Sequence, residues 1–382
     1  MNILARFRNP YIRITVIFII VKVLVALIML GLSGWNVNKA FYHWDGVWYR
    51  DIVDNGYDTS YASQTPTDPY CTVREANCLR NFAFFPVYPI LIKGFVLVGI
   101  DSLYAGLIVS NVCNLLAIFL LYRLALEFWK DQTKAYISAL SMLVFPAAFI
   151  FGVYMTESVF ICTFLLAYLL AYKKKWIYAG LAGLVLSATR NTGILFMICM
   201  VLLWLEQNNY NYKNIFKDRK FLIGLLLVPI GLLLFMTYLY FHVGDPIAFI
   251  NIQAYWGKAL VPGGPIGAML FALYDWHLET NILNHLYNLS YLVLTVGLFS
   301  INIKKKWLPN SMSFILLWLV VPLTSGSTVS FSRYASVLFP IYLLVPILYS
   351  KHRRIFYVVL AISSCIAFAF CMFYPLRLTI TS

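Results

Sequence analysis

Apolar runs long enough to cross a bilayer recur along this chain almost from end to end, and no other feature limits its fold as much. A membrane-spanning helix needs about 20 mostly apolar residues. Runs of this kind fall at 11–32, 104–126, 136–152, 157–172, 221–241, 283–301, 311–328, 334–350 and 355–375. The residues between them cannot cover such a core in water. Of the 382 residues 62% are hydrophobic and 12% charged, against about 45–50% and 25% in soluble domains. The pattern predicts an all-α polytopic membrane protein. A β-barrel would show alternating segments of about ten residues instead.

The charges supply a topology. Arg6 and Arg8 precede the first run and Arg13 stands at its start; the run lacks the short core and small-residue cleavage site of a signal peptide and reads as a retained span. The net charge of +14 sits in short clusters between apolar runs, at 173–175, 213–220, 304–306 and 351–354. That is the positive-inside pattern of cytoplasmic loops, and it points away from nucleic acid. Two segments then need short elements. The stretch 84–100 carries Pro86, Pro89 and Lys93, and keeps the later clusters on one side only if it lies in the interface. The stretch 176–206 has basic clusters on both flanks and "ATRNTG" at its midpoint, which predicts a hairpin of two short helices with Arg190 at its tip. About eleven spans result, with the N-terminus cytoplasmic and 19 of 29 Lys and Arg inside against 4 of 15 acids. The expected organisation is one membrane unit over 1–382: a first extracytoplasmic loop at 34–103, a core module at 104–241, an outer loop at 242–281 and C-terminal helices at 282–382.

This topology gathers polar groups on the outer side. Residues 41–58 hold Asp45, Asp51, Asp54 and Asp58, with His43, Trp44 and Trp48 among them. "YMTES" brings Glu157, the hairpin tip Arg190, and "FSRYAS" Arg333 and Tyr334. Each has a bland reading: a solvated carboxylate, a first-turn acid at Glu157 with Thr156 as cap, an interfacial arginine, an aromatic belt. Convergence favours chemistry. Arginine offers phosphate a permanent bidentate fork, and a carboxylate can take a proton from a sugar hydroxyl. Together they fit a lipid-linked phosphate substrate reached from the outer leaflet. Cys71 and Cys78 share the first loop; a disulfide suits an oxidising compartment, and two free thiols is the other reading.

In order along the chain stand "HWDGVWYRDIVDNGYD", "NFAFFPVYPILI", "SNVCNLLAIFLLYRLALEFW", "FPAAFIFGVYMTESVF", "WIYAGLAGLVLSATRNTGIL" and "SRYASVLFPIYLL". This ordered set resembles the PIG-V family, the second mannosyltransferase of GPI assembly and its prokaryotic relatives, over about residues 41–345. The resemblance implies the GT-C glycosyltransferase fold with interfacial helices in the first outer loop. It implies a hexosyltransferase that moves a sugar, typically mannose, from a polyprenyl-phosphate donor to a hydroxyl on the extracytoplasmic side, with inversion. The family's catalytic aspartate falls on Asp45. Trp44, Arg190, Glu157, Arg333, Tyr334, Asp51 and His43 are then the expected substrate-binding residues, with no metal or other cofactor. The implied partners are the donor lipid, a glycan, glycolipid or protein acceptor, and membrane lipids. The implied location is the plasma membrane of a prokaryote, or the ER membrane of a eukaryote.

On that reading Asp45 is the general base, Arg190 and Arg333 hold the donor phosphate, and Glu157 binds sugar or orients an arginine. Two rivals remain from the residues alone. A lipid-linked sugar flippase would bury charges within repeated halves, and no internal repeat is present. A polymerase or ligase using a lipid diphosphate would favour an arginine-rich outer loop, whereas 242–281 holds Lys258 and no arginine.

Overall fold

The computed structural model describes residues 9–58, 80–253, 267, 282–323 and 330–376. Cys71, Cys78 and most of 242–281 lie outside that set. Among the described residues the chain is helical, without a strand. Pro10 opens the first helix, Pro10–Leu32, where the Asn9 side chain accepts from the Tyr11 N–H at 2.9 Å. A capping oxygen there satisfies one of the donors that every helix start leaves over. Ile19, Ile20, Val23, Leu24 and Leu27 stay exposed along this helix, an apolar surface suited to lipid.

Five helical segments are long and apolar enough to cross a membrane: Pro10–Leu32, Ser102–Trp129, Arg219–Val243, Leu286–Lys305 and Arg353–Leu376. With the shorter apolar helices around them they make an all-α polytopic membrane protein. Several expected straight spans are broken. At 136–152 the helix Gln132–Ser141 gives way to 3-10 turns, Met142–Val144 and Ala148–Gly152, on either side of Pro146. Proline has no N–H to donate and its ring crowds the preceding turn. The span expected at 334–350 likewise separates into Phe331–Ser336 and Pro340–Lys351, and at 311–328 helix Asn310–Leu316 is followed by the short Val320–Leu323. Irregular backbone at membrane depth is tolerated where protein buries it or where it lines a cavity. The segments Phe151–Met155 and Phe331–Ser336 are in fact buried except for the half-buried Gly152 and Tyr334.

Both short elements expected from the charge pattern are present. Residues Val87–Val96 form a ten-residue helix, about 15 Å long at 1.5 Å per residue and too short to span. Tyr88, Pro89 and Ile92 face inward, while Leu97 and Val98 just beyond are 78% and 75% exposed, as suits an interfacial element. The hairpin consists of Trp176–Ser187 and Phe196–Gln207, joined through Arg190 and the 3-10 turn Asn191–Leu195. Helix Glu157–Tyr172 packs between Ser102–Trp129 and Trp176–Ser187, which carries its first residue to the hairpin tip.

Candidate active site

Asp45 is the first residue of helix Asp45–Asn55, where a negative charge is favoured by the helix N-terminus. Trp44 before it holds φ 54° and ψ −125°, a region that L-residues rarely adopt and that costs on the order of 1–3 kcal/mol. Its indole Nε1 is buried with no hydrogen-bond partner. Tyr154 fixes the turn from the other side: its N–H donates to Phe41 O at 3.1 Å. A Cβ added at Gly46 would lie 2.7 Å from Tyr154 O. Gly46→Ala is therefore expected to cost about 1–3 kcal/mol by overpacking, read as a lower thermal midpoint in detergent. An unchanged midpoint would mean that this turn moves freely.

Four charged side chains meet here from four distant parts of the chain. Glu157 is 0% exposed. Its Oε1 accepts from Arg190 Nη2 at 2.5 Å and from Arg333 Nη2 and Nε at 2.8 and 3.0 Å. The same Arg333 Nη2 donates to Asp45 Oδ2 at 2.6 Å. Each arginine binds Glu157, and Arg333 also binds Asp45. Glu157 Oε2 is buried without a hydrogen-bond partner. Thr156 makes no capping bond, so Glu157 is the centre of an ionic network and not simply a first-turn acid under a threonine cap. Arg190 lies over the rings of Phe160 and Tyr334, each 5.8 Å from its Cζ. Two acids and two arginines leave the network with no net charge, and only Asp45 is appreciably open, with 29% of its side chain exposed.

The remaining expected residues divide. Tyr334 is in the cluster through Arg190. His43 is buried, its Nε2 2.8 Å from Lys39 O and its ring 5.1 Å from that of Tyr374, which gives it a packing role. Asp51 turns elsewhere, accepting from Asn55 and Asn81 side chains at 2.8 Å each. Six residues of helix rotate it about 240° from Asp45, so its place on another face follows from spacing. Arg50 pairs with Asp54 at 3.4 Å and Asp101 at 3.7 Å, not with Asp51. Asp54 is thus a partner of Arg50 and not simply solvated.

Two residues beside the cluster were not among the expected site residues. Tyr49, one turn on from Asp45, is buried, and burial raises its phenol above the usual tyrosine range, with Arg190 opposing and Asp45 and Glu157 adding to the shift. It therefore stands beside the cluster as a neutral hydroxyl. The spacing of four was the available signal. Asn81 clips the loop: its amide donates to Asp51 and Gly56 O, and its Oδ1 accepts from the Asp58 N–H. Nothing in its local sequence announced that. Among the described residues no three His, Cys, Asp or Glu side chains gather.

A cavity of about 700 Å³ runs between helix Val87–Val96, the hairpin and helix Ile230–Val243. Tyr57, Ile90, Ala188, Phe235 and Tyr238 line it, and Ala188 brings it within two residues of Arg190. Its walls are mainly apolar, so it can take a hydrocarbon chain.

No family model matches the chain, and no curated protein does. Solved structures do. ArnT from Cupriavidus metallidurans bound to undecaprenyl phosphate superposes with a TM-score of 0.55 at 12% identity, over 92% of this chain and 63% of that one. The Archaeoglobus fulgidus oligosaccharyltransferase in complex with Zn and sulfate gives 0.50 at 16% identity, over 92% and 53%. The likeness shows the GT-C glycosyltransferase fold. The chain spans less than two thirds of the length of either neighbour.

Proposed function

We propose that this chain is a glycosyltransferase of the prokaryotic PIG-V-like type, moving a sugar, mannose first among candidates, from a polyprenyl-phosphate donor to an acceptor hydroxyl with inversion. The observation that carries this reading is the Asp45–Arg333–Glu157–Arg190 network. It sets one open carboxylate beside two arginines whose orientation a buried glutamate holds. The undecaprenyl phosphate of ArnT and the mainly apolar cavity beside the hairpin favour a lipid monophosphate as the leaving group.

Asp45 takes the proton of the acceptor hydroxyl while that oxygen attacks the anomeric carbon from the face opposite the phosphate. The new C–O bond forms as the old one breaks, and polyprenyl phosphate leaves with the electron pair. Arg190 and Arg333 hold the phosphate and stabilise the charge that grows on it. In the resting state Arg333 is shared with Asp45, which weakens Asp45 as a base. An arriving phosphate competes for Arg333 and frees the carboxylate when the donor is in place. The reading places the network on the extracytoplasmic side and the N-terminus in the cytoplasm.

The test is transfer of radiolabelled mannose from a polyprenyl-phosphate donor by purified protein in nanodiscs, offered glycan, glycolipid and peptide acceptors in turn. No labelled product with any of them, from well-folded protein, sinks the proposal. The arginines carry the phosphate charge in this mechanism, so transfer is expected to persist unchanged in excess EDTA. Loss of activity that Mg²⁺ or Mn²⁺ restores would show that a metal shares that task.

A further inference from the structure

Lys22 lies in the middle of helix Pro10–Leu32, about 18 Å from its start and 15 Å from its end at 1.5 Å per residue. An ionisable side chain at that depth is costly and marks a functional site by default. Among the described residues Lys22 has no carboxylate and no hydrogen-bond partner; its recorded ring contact is Phe18, 5.6 Å from Nζ. Space for the ammonium is built in, because a Cβ at residue 152 would fall 2.9 Å from Lys22 Nζ and the chain has Gly152 there.

A second polar group faces the same space. Asn114 is 1% exposed and its Oδ1 has no hydrogen-bond partner. Lys22 and Asn114 both line a cavity of about 420 Å³ whose other walls include Val25, Met142, Phe149 and Phe368. That volume lies in the range of small-molecule pockets, about 300–1,000 Å³. A buried polar atom without a partner is destabilising; Asn114 Oδ1 is such an atom, and among the described residues no carboxylate lines the cavity beside the Lys22 ammonium.

We propose that this cavity is a binding site for a long-chain carboxylic acid drawn from the membrane, its carboxyl group held by Lys22 and Asn114 and its chain lying along the apolar wall. The cation requires an oxygen acceptor, and the walls require a hydrocarbon. Depth selects the carboxyl. A phosphate head would carry a permanent charge into the hydrocarbon, which is expensive, whereas a carboxylic acid can travel uncharged. Once it is seated, the acid–amine pair has no net charge, whichever group holds the proton. Asn114 offers an amide, both donor and acceptor, to the second carboxyl oxygen. The site is separate from the charged network and does not rest on the transfer reaction. The two are linked by ring contacts, since Phe149 meets Tyr374, which meets His43, at ring separations of 5.2 and 5.1 Å.

The experiment uses the full-length protein in nanodiscs with a diazirine-bearing C18 fatty acid, photolysed and mapped by mass spectrometry. Crosslinks are expected on segments 21–28, 142–149 and 364–371, displaced by oleate and not by oleyl alcohol. Lys22→Met should reduce labelling at least about tenfold, the loss expected for a charge-assisted hydrogen bond. Val25→Trp, which fills the cavity and leaves Lys22 in place, should reduce it similarly, with both variants' thermal midpoints checked. Labelling elsewhere, equal competition by oleyl alcohol, stronger competition by oleyl phosphate, or full labelling of Lys22→Met would each overturn the proposal. If Lys22→Met does not fold, the Val25→Trp result decides: full labelling of that variant rejects the cavity.

Discussion

Asp45→Asn protein is expected to lose sugar transfer by about 10²–10⁴-fold, the usual contribution of a general base, and yet to bind polyprenyl phosphate more tightly. The two effects have one cause. Arg333 Nη2 is divided between Asp45 Oδ2 at 2.6 Å and Glu157 Oε1 at 2.8 Å. An incoming phosphate must displace Asp45 from that nitrogen. Asparagine keeps the shape but removes the competing charge, so the phosphate meets a less satisfied guanidinium. A gain of about tenfold in affinity corresponds to about 1.4 kcal/mol, modest for a charge-assisted contact in a partly buried site. Calorimetric titration of wild-type and Asp45→Asn protein with polyprenyl phosphate, beside the transfer assay, reads both effects. If binding and transfer fall together, Asp45 holds the donor and is not the base. If transfer survives, another group takes the proton. Asp45→Glu separates charge from position, since it keeps the competitor and lengthens its reach.

How much of this was legible depends on the range of the physics involved. Span length and charge asymmetry act locally, so the apolar runs, the interfacial helix at 87–96 and the hairpin with Arg190 at its tip could be read residue by residue. Breaks inside spans were less visible, although Pro146 and Pro340 stood in the sequence and proline chemistry explains both. Helical spacing would also have separated Asp51 from Asp45 and joined Tyr49 to it. The pairing of Asp45 with Arg333, 288 residues apart, was not legible. A topology puts two groups on one side of a bilayer, but only packing brings them to 2.6 Å. The backbone of Trp44 and the free space at Gly152 are likewise products of tertiary contact, and local propensity carries no trace of them.

Glu157→Ala is expected to destabilise the protein by about 3–5 kcal/mol, the cost of leaving buried charge unpaired. That is a large share of the roughly 5–15 kcal/mol that holds a typical fold together. Glu157 is fully buried, and Arg333 and Arg190 have only 6% and 15% of their side chains exposed, so water can replace little of what is removed. Arg190 would lose its Glu157 acceptor and Arg333 would keep Asp45, and the tighter Asp45–Arg333 pairing makes Asp45 a still weaker base. Tryptophan-fluorescence melting in detergent should show a lower midpoint, with poor recovery of monodisperse protein. The compensating variant makes the reasoning specific. Adding Arg190→Met to Glu157→Ala removes the stranded cation, so the double variant should be more stable than Glu157→Ala alone, a non-additivity expected only of residues in one network. A double variant that is simply worse by the sum of the two changes would mean that Glu157 acts through packing and not through its charge. Wild-type-like melting of Glu157→Ala would remove the network from the forces holding this end of the bundle together, leaving it as a binding device alone. Glu157→Gln divides stability from chemistry: one oxygen still accepts from the guanidinium groups, so the fold should survive, while the lost charge loosens the arginines that the donor phosphate must meet in fixed positions.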